Sequence, residues 1–135
     1  MSELPLNLTI AIPVRNEERN LASCLQAIGT DFARTVVVID SSSTDGTAAT
    51  AGTHGAEILN FDWNGRFPKK RNWFLRHHSP TTRWVLFLDA DEILTPAVKR
   101  EISYVLPQSP HQGYRLTYTN YFLGRRLRGG YPLHK

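Results

Sequence analysis

Trp84-Val85-Leu86-Phe87-Leu88-Asp89-Ala90-Asp91-Glu92 is the stretch on which the reading of this chain turns. An apolar run ends abruptly in three carboxylates. A continuous apolar run after polar residues reads as a strand buried on both faces. The carboxylates then fall at its carboxyl end, the edge of an open α/β sheet where ligands bind. Asp89 and Asp91, one residue apart, suit a hard divalent cation shared with phosphate oxygens. A strand that merely meets solvent at a polar turn leaves the same pattern. The decision therefore rests on whether other strands end in the same way.

They do. Leu6 to Ile12 alternates apolar with small or polar residues and reads as the first strand, stopped by Pro13, which cannot donate to a ladder. Val14-Arg15-Asn16-Glu17-Glu18 follows as a polar loop, with Asn16 expected as a helix N-cap. Leu21, Cys24, Leu25 and Ile28 repeat at helical spacing up to Gly29. Thr35-Val36-Val37-Val38-Ile39 is a β-branched strand that ends at Asp40. The polar loop Ser41–Thr47 leads into a helix over 45–51, in which Asp45 is expected as the cap. Residues 56–60 read as a third strand, and Pro68 opens a helix running to about His78. The acidic strand is the fourth. Thr95-Pro96 caps the next helix, whose apolar face holds Val98, Ile102, Val105 and Leu106. Tyr114–Tyr118 alternates as a fifth strand, and residues 120–130 read as a hairpin or basic loop.

Strands alternating with helices predict a three-layer α/β/α sandwich with a mainly parallel sheet. Right-handed crossovers bring the carboxyl ends of strands one, two and four to one edge. Arg15 with Glu17, Asp40, and Asp89 with Asp91 then converge there, which favours a site over three unrelated polar turns.

The 135 residues suit one domain, and 41% hydrophobic with 21% charged content is ordinary for a globular chain. Cys24 is the only cysteine, so no intrachain disulfide forms; its place on the apolar helix face reads as a buried structural thiol. The amino terminus lacks the pattern of a signal peptide, and no apolar stretch is long enough to span a bilayer. The expectation is a cytoplasmic protein, peripheral on a membrane at most. After Glu101 the chain carries Arg115, Arg125, Arg126, Arg128 and Lys135 with no carboxylate. That basic segment suits an anionic acceptor or membrane surface. No nucleic-acid-binding module is recognisable.

Three ordered motifs carry a specific resemblance: Ile12-Pro13-Val14-Arg15-Asn16-Glu17, Val37-Val38-Ile39-Asp40-Ser41-Ser42-Ser43-Thr44-Asp45-Gly46-Thr47, and Leu88-Asp89-Ala90-Asp91-Glu92. Together they resemble the family 2 glycosyltransferases of the GT-A (Rossmann-like) fold, over nearly the whole chain. Residues 61–65, 69–73 and 120–125 are similar to the lipopolysaccharide core glucosyltransferase branch. The resemblance implies a nucleotide-sugar donor, most often UDP-linked, a Mn²⁺ or Mg²⁺ ion, and inverting transfer to a glycan or glycolipid hydroxyl. It implies that Asp40 accepts the imide N–H of uracil. Pro13 and Val14 offer backbone groups and an apolar wall to the nucleoside. Glu17 orients Arg15 or bonds the nucleotide. Lys70 and Arg71 face the nucleotide or its diphosphate. Asp89 holds the ribose or a metal-bound water, and Asp91 ligates the metal of the DXD motif.

Each residue has a plainer reading. Arg15 and Glu17 can form an exposed pair worth little. Lys69-Lys70-Arg71 can be a solvated helix face. Trp63, Trp73 and Trp84 suit the core. His77-His78 suits a helix end. One departure from the family pattern matters. The base that activates the acceptor is usually a carboxylate beyond the fifth strand, and none follows Glu101. Residues 1–135 therefore read as the donor-binding, amino-terminal part of a glycosyltransferase domain, with the base unassigned. A non-catalytic nucleotide-binding half-domain is the alternative. A haloacid-dehalogenase-like phosphatase, with Asp89 as nucleophile and Asp91 as general acid, is disfavoured because three strands precede the motif.

Overall fold

The computed structural model describes residues 4–62, 69–78 and 80–116, with the backbone alone of residues 121, 122, 125 and 126. Four strands, β1 (Leu6–Val14), β2 (Ala33–Asp40), β3 (Glu57–Asn60) and β4 (Trp84–Phe87), form a sheet in the order β3-β2-β1-β4. Every pairing in it is parallel. The chain moves outward from β1 to β3 and then jumps back past β1 to β4, so the strand order reverses between β1 and β4. Crossovers of one hand that run in opposite directions leave their helices on opposite faces.

The cores show this. The even-numbered residues of β1, Leu6 to Val14, pack with Val38, Leu88 and the apolar stripe Leu21, Cys24, Leu25 and Ile28 of α1 (Glu18–Ile28). Ala51 of α2 (Thr47–Thr53) joins this core, and Val98 and Ile102 of α4 (Pro96–Val105), with Leu106 just after it, pack on it. On the other face Ala11, Val37 and Ile39 meet Phe61 and Phe74, the latter from α3 (Lys70–His77). This is the expected three-layer α/β/α arrangement. No helix among the described residues is long and apolar enough to cross a membrane.

Several expectations change. Pro13 does not stop β1, which runs on through Val14 and keeps its register with β2. Ala11 O accepts from Leu88 N on the β4 side, and Val14 O accepts from Ser41 N on the β2 side. Successive residues alternate sides, so the donor missing at Pro13 faces β4. Pairing with β4 has already ended there, at Ala11, and no ladder bond is lost. Among the described residues the acidic strand pairs with β1 alone, and all four of its residues are half-buried rather than buried on both faces. Asn16 is not a helix cap. It has φ 53°, the left-handed region that asparagine tolerates, and α1 starts two residues later. The second helix runs over Thr47–Thr53 rather than from 45, and the third strand starts at Glu57. Residues 114–116 form no strand, and 117 and 118 lie outside the described residues, as do Pro68 and Trp63. The hairpin is present in the backbone: β5 (Tyr121–Phe122) pairs antiparallel with β6 (Arg125–Arg126).

Thr95 caps α4 as expected, its hydroxyl accepting from Val98 N at 3.2 Å, with Pro96 following. Cys24 is buried, and Trp73 and Trp84 pack at the margins of the two cores. The indole N–H of Trp84 is buried without an acceptor among the described residues. His77 and His78 stack on Trp73 and Phe74 one turn earlier.

Candidate functional site

The loops that leave β1 and β2 are bonded to one another at the carboxyl edge. Asn16 N donates to Ser43 Oγ at 2.9 Å, and Asn16 Oδ1 accepts from Thr44 N at 2.8 Å. Glu17 N donates to Thr47 Oγ1 and Glu18 N to Asp45 Oδ2, at 3.0 and 3.3 Å. The second loop thus supplies acceptors for N–H groups that the start of α1 leaves without helical partners. Asp45 also accepts from Thr47 N at 3.0 Å, a local turn bond ahead of the helix; the cap position falls on Gly46, not on Asp45 as expected. The Thr47 hydroxyl, chiefly, holds its carboxyl below the usual aspartate range. At Ser42 the backbone again turns left-handed, φ 53°, and its hydroxyl donates to Asp62 Oδ1 at 2.9 Å.

Asp40 closes β2 and is buried. Its Oδ1 accepts from both the N–H and the hydroxyl of Ser43, and its carbonyl accepts from Phe61 N. Beside it Lys70, at the start of α3, donates from Nζ to Val14 O at 2.8 Å. Burial lowers the Lys70 pKa from its ordinary value; the negative charge of Asp40 opposes this and the positive charge of Arg15 adds to it. A half-buried ammonium between those two groups favours any further negative charge brought near it.

The carboxylates of the fourth strand end sit in a tight turn. Asp89 N donates to Glu92 Oε1 at 2.7 Å, and Glu92 N to Asp89 O at 2.9 Å. The Cys24 thiol lies 3.8 Å from Asp89 O, so the buried cysteine props the turn from beneath. Arg71 pairs with Asp89 Oδ1 at 3.0 Å and lies over the Phe87 ring. With both side chains almost half exposed, that pair contributes little to stability. Asp91 is exposed at the tip. Among the described residues no group of three or more His, Cys, Asp or Glu is arranged to hold an ion. The donor set available is two hard carboxylates. It fits Mg²⁺ or Mn²⁺ held jointly with substrate phosphates, the usual arrangement for Mg²⁺, and does not fit an all-protein cage.

An open cleft of about 480 Å³ lies on this edge, lined by Arg15, Ser41, Ser42, Phe61, Asp62, Lys69 and Lys70. The structure therefore brings Arg15, Asp40 and Lys70 together at the cleft, and Arg71 with Asp89 beside Asp91. Asp40 is not itself a wall of the cleft; its neighbours Ser41 and Lys70 are. Arg15 and Glu17 do not pair: Glu17 accepts from Asn20 Nδ2 at 3.1 Å, and Arg15 turns to the cleft. The Val14 side chain is in the core, leaving only its carbonyl at the site. Sequence reasoning missed Asp62 and gave Ser43 no role. The signal for Asp62 was its place directly after β3, whose carboxyl end shares the edge. A second depression, about 200 Å³, lies at the opposite edge beside Gly29, Arg34 and His54, away from these groups.

A model of the family described as Glycosyl transferase family 2 matches residues 9–128. The chain is 31% identical over 100 residues to the SPbeta prophage-derived glycosyltransferase SunS of Bacillus subtilis, covering 73% of this chain and 23% of SunS. TarS of S. aureus superposes with a TM-score of 0.68 at 21% identity, covering 91% of this chain and 38% of that one. Glucosyl-3-phosphoglycerate synthase from Mycobacterium tuberculosis, solved with Mn²⁺, UDP and phosphoglyceric acid, superposes at 0.52 with 23% identity, over 64% of this chain and 33% of that one. These superpositions establish the GT-A fold. The chain spans about a quarter of the length of the first curated relatives it matches.

Proposed function

The chain belongs to glycosyl transferase family 2, and from that premise we propose that it binds a UDP-linked sugar at the carboxyl edge of its sheet and serves inverting, metal-dependent transfer to a glycan or glycolipid hydroxyl. The observation that carries this reading is the grouping of Arg15 and Lys70 on one cleft with Asp40 beside them, and of Arg71, Asp89 and Asp91 at the neighbouring strand end on the same edge. Uracil meets Asp40, with Pro13 near the end of β1 and Glu17 on the loop after it. Lys70 and Arg71 oppose the negative charge of the diphosphate, and that opposition strengthens as the leaving group forms. Asp91 is the direct metal ligand, and Asp89, held by Arg71, orients the ribose or a metal-bound water. A Mn²⁺ or Mg²⁺ held there would supply positive charge against the diphosphate. That M. tuberculosis glucosyl-3-phosphoglycerate synthase binds UDP and Mn²⁺ supports this assignment.

Residues 1–135 are, on this reading, the nucleotide-sugar-binding part of the domain, supported by the quarter-length match to the curated relatives. The acceptor base is unassigned. The similarity of residues 61–65, 69–73 and 120–125 to the lipopolysaccharide core glucosyltransferases supports a glycolipid acceptor at the cytoplasmic face of a membrane, approached by the basic segment after Glu101.

Calorimetry tests the reading. UDP is expected to bind more tightly with Mn²⁺ or Mg²⁺ than without, and Asp91→Ala to remove most of that gain while leaving metal-free affinity in place. Equal affinity of the wild type with and without metal would count against it.

A further inference from the structure

We infer that Ser43 is a positioning residue that aims the Asp40 carboxylate, and so sets the base preference of the site; this rests on the nucleotide reading above. The Ser43 hydroxyl touches two groups. Asn16 N–H, 2.9 Å away, is only a donor. The Asp40 carboxylate is only an acceptor. The hydroxyl proton therefore has one place to go: Oγ accepts from Asn16 and donates to Asp40 Oδ1. Ser43 N donates to the same oxygen at 3.1 Å. Oδ1 is thereby saturated by two donors from one residue, and the carboxylate plane is fixed. Oδ2 has no protein partner among the described residues. It is not among the fully buried polar atoms that lack one, so it keeps contact with solvent.

The relay reaches back to Asn16. Its left-handed backbone, φ 53°, presents its N–H to Ser43, and Thr44 N holds its side chain at 2.8 Å. Ser43 thus links the β1 loop to the one buried carboxylate of the β2 end. A single oriented acceptor oxygen discriminates between bases that differ at one atom. Uracil N3 carries a proton and cytosine N3 a lone pair. Oδ2 bonds the first and repels the second, and the discrimination depends on Oδ2 staying where Ser43 puts it.

The test compares UDP, CDP and inorganic pyrophosphate, each with Mn²⁺, by calorimetry on wild type, Ser43→Ala and Ser43→Thr. Ser43→Ala is expected to lower the UDP-over-CDP preference on the order of tenfold, the worth of a hydrogen bond to a charged group. Pyrophosphate affinity should stay as in the wild type, and Ser43→Thr, which keeps the hydroxyl, should restore the preference. Wild-type preference retained in Ser43→Ala would overturn the inference alone. So would an equal loss of pyrophosphate binding, which marks a general collapse of the loop. Equal affinity of the wild type for UDP and CDP would overturn the uridine assignment and this inference with it.

Discussion

Asp40→Asn is expected to weaken UDP binding by about 1–3 kcal/mol, or roughly five- to 150-fold. The direction follows from Ser43. Two Ser43 donors converge on Oδ1, so the amide oxygen of the asparagine must take that place. Its NH₂ then occupies the Oδ2 position and opposes the imide N–H of uracil, donor against donor. The same NH₂ can donate to cytosine N3, so the preference should move toward CDP. A second loss runs through Lys70. Asp40 favours its ammonium form against the burial that lowers its pKa. Without that charge the cation is less well maintained beside the diphosphate. Calorimetry with UDP and CDP reads both effects, and an unchanged preference for UDP would remove Asp40 from the base site.

Phe74→Ala is expected to cost about 3–5 kcal/mol of stability, the range for truncating a buried phenylalanine. Phe74 is fully buried and is the one buried residue of α3. Its ring meets Phe87 edge-on at 6.0 Å and stacks with His78 at 5.1 Å. Phe61 and Trp73 complete the core on that face of the sheet. Since α3 also carries Lys70 and Arg71, loosening it should weaken UDP binding at temperatures where the variant is still folded. Urea denaturation measures the first effect and calorimetry the second. A loss below about 1 kcal/mol would mean that α3 is held by something other than this core.

Much of the fold was legible because its signals are local. The β-branched run Thr35–Ile39 lies within β2, and the stripe Leu21–Cys24–Leu25–Ile28 is the buried face of α1. Asp40 and Asp89 could be placed on one edge because a parallel sheet puts every strand's carboxyl end there. Two of the misreadings, at Pro13 and Asn16, depended on a partner distant in sequence. Pro13 looked like a stop because nothing local says that β4 ends beside Ala11. Asn16 looked like a cap because its bonds run to Ser43 and Thr44, 27 and 28 residues away. The half-burial of Trp84–Phe87 accompanies its pairing with β1 alone among the described residues, which the apolar run could not report. Ser43 and Asp62 acquire meaning only when the loops after β1, β2 and β3 are side by side.

A crystal structure of the chain grown with UDP and Mn²⁺ decides whether this edge is a metal–nucleotide site. The expected result is the uracil edge at Asp40, the diphosphate against Lys70 and Arg71, and a manganese anomalous peak within coordination distance of Asp91. UDP seated instead in the depression beside Gly29 and His54, or manganese bound away from both Asp89 and Asp91, would contradict it.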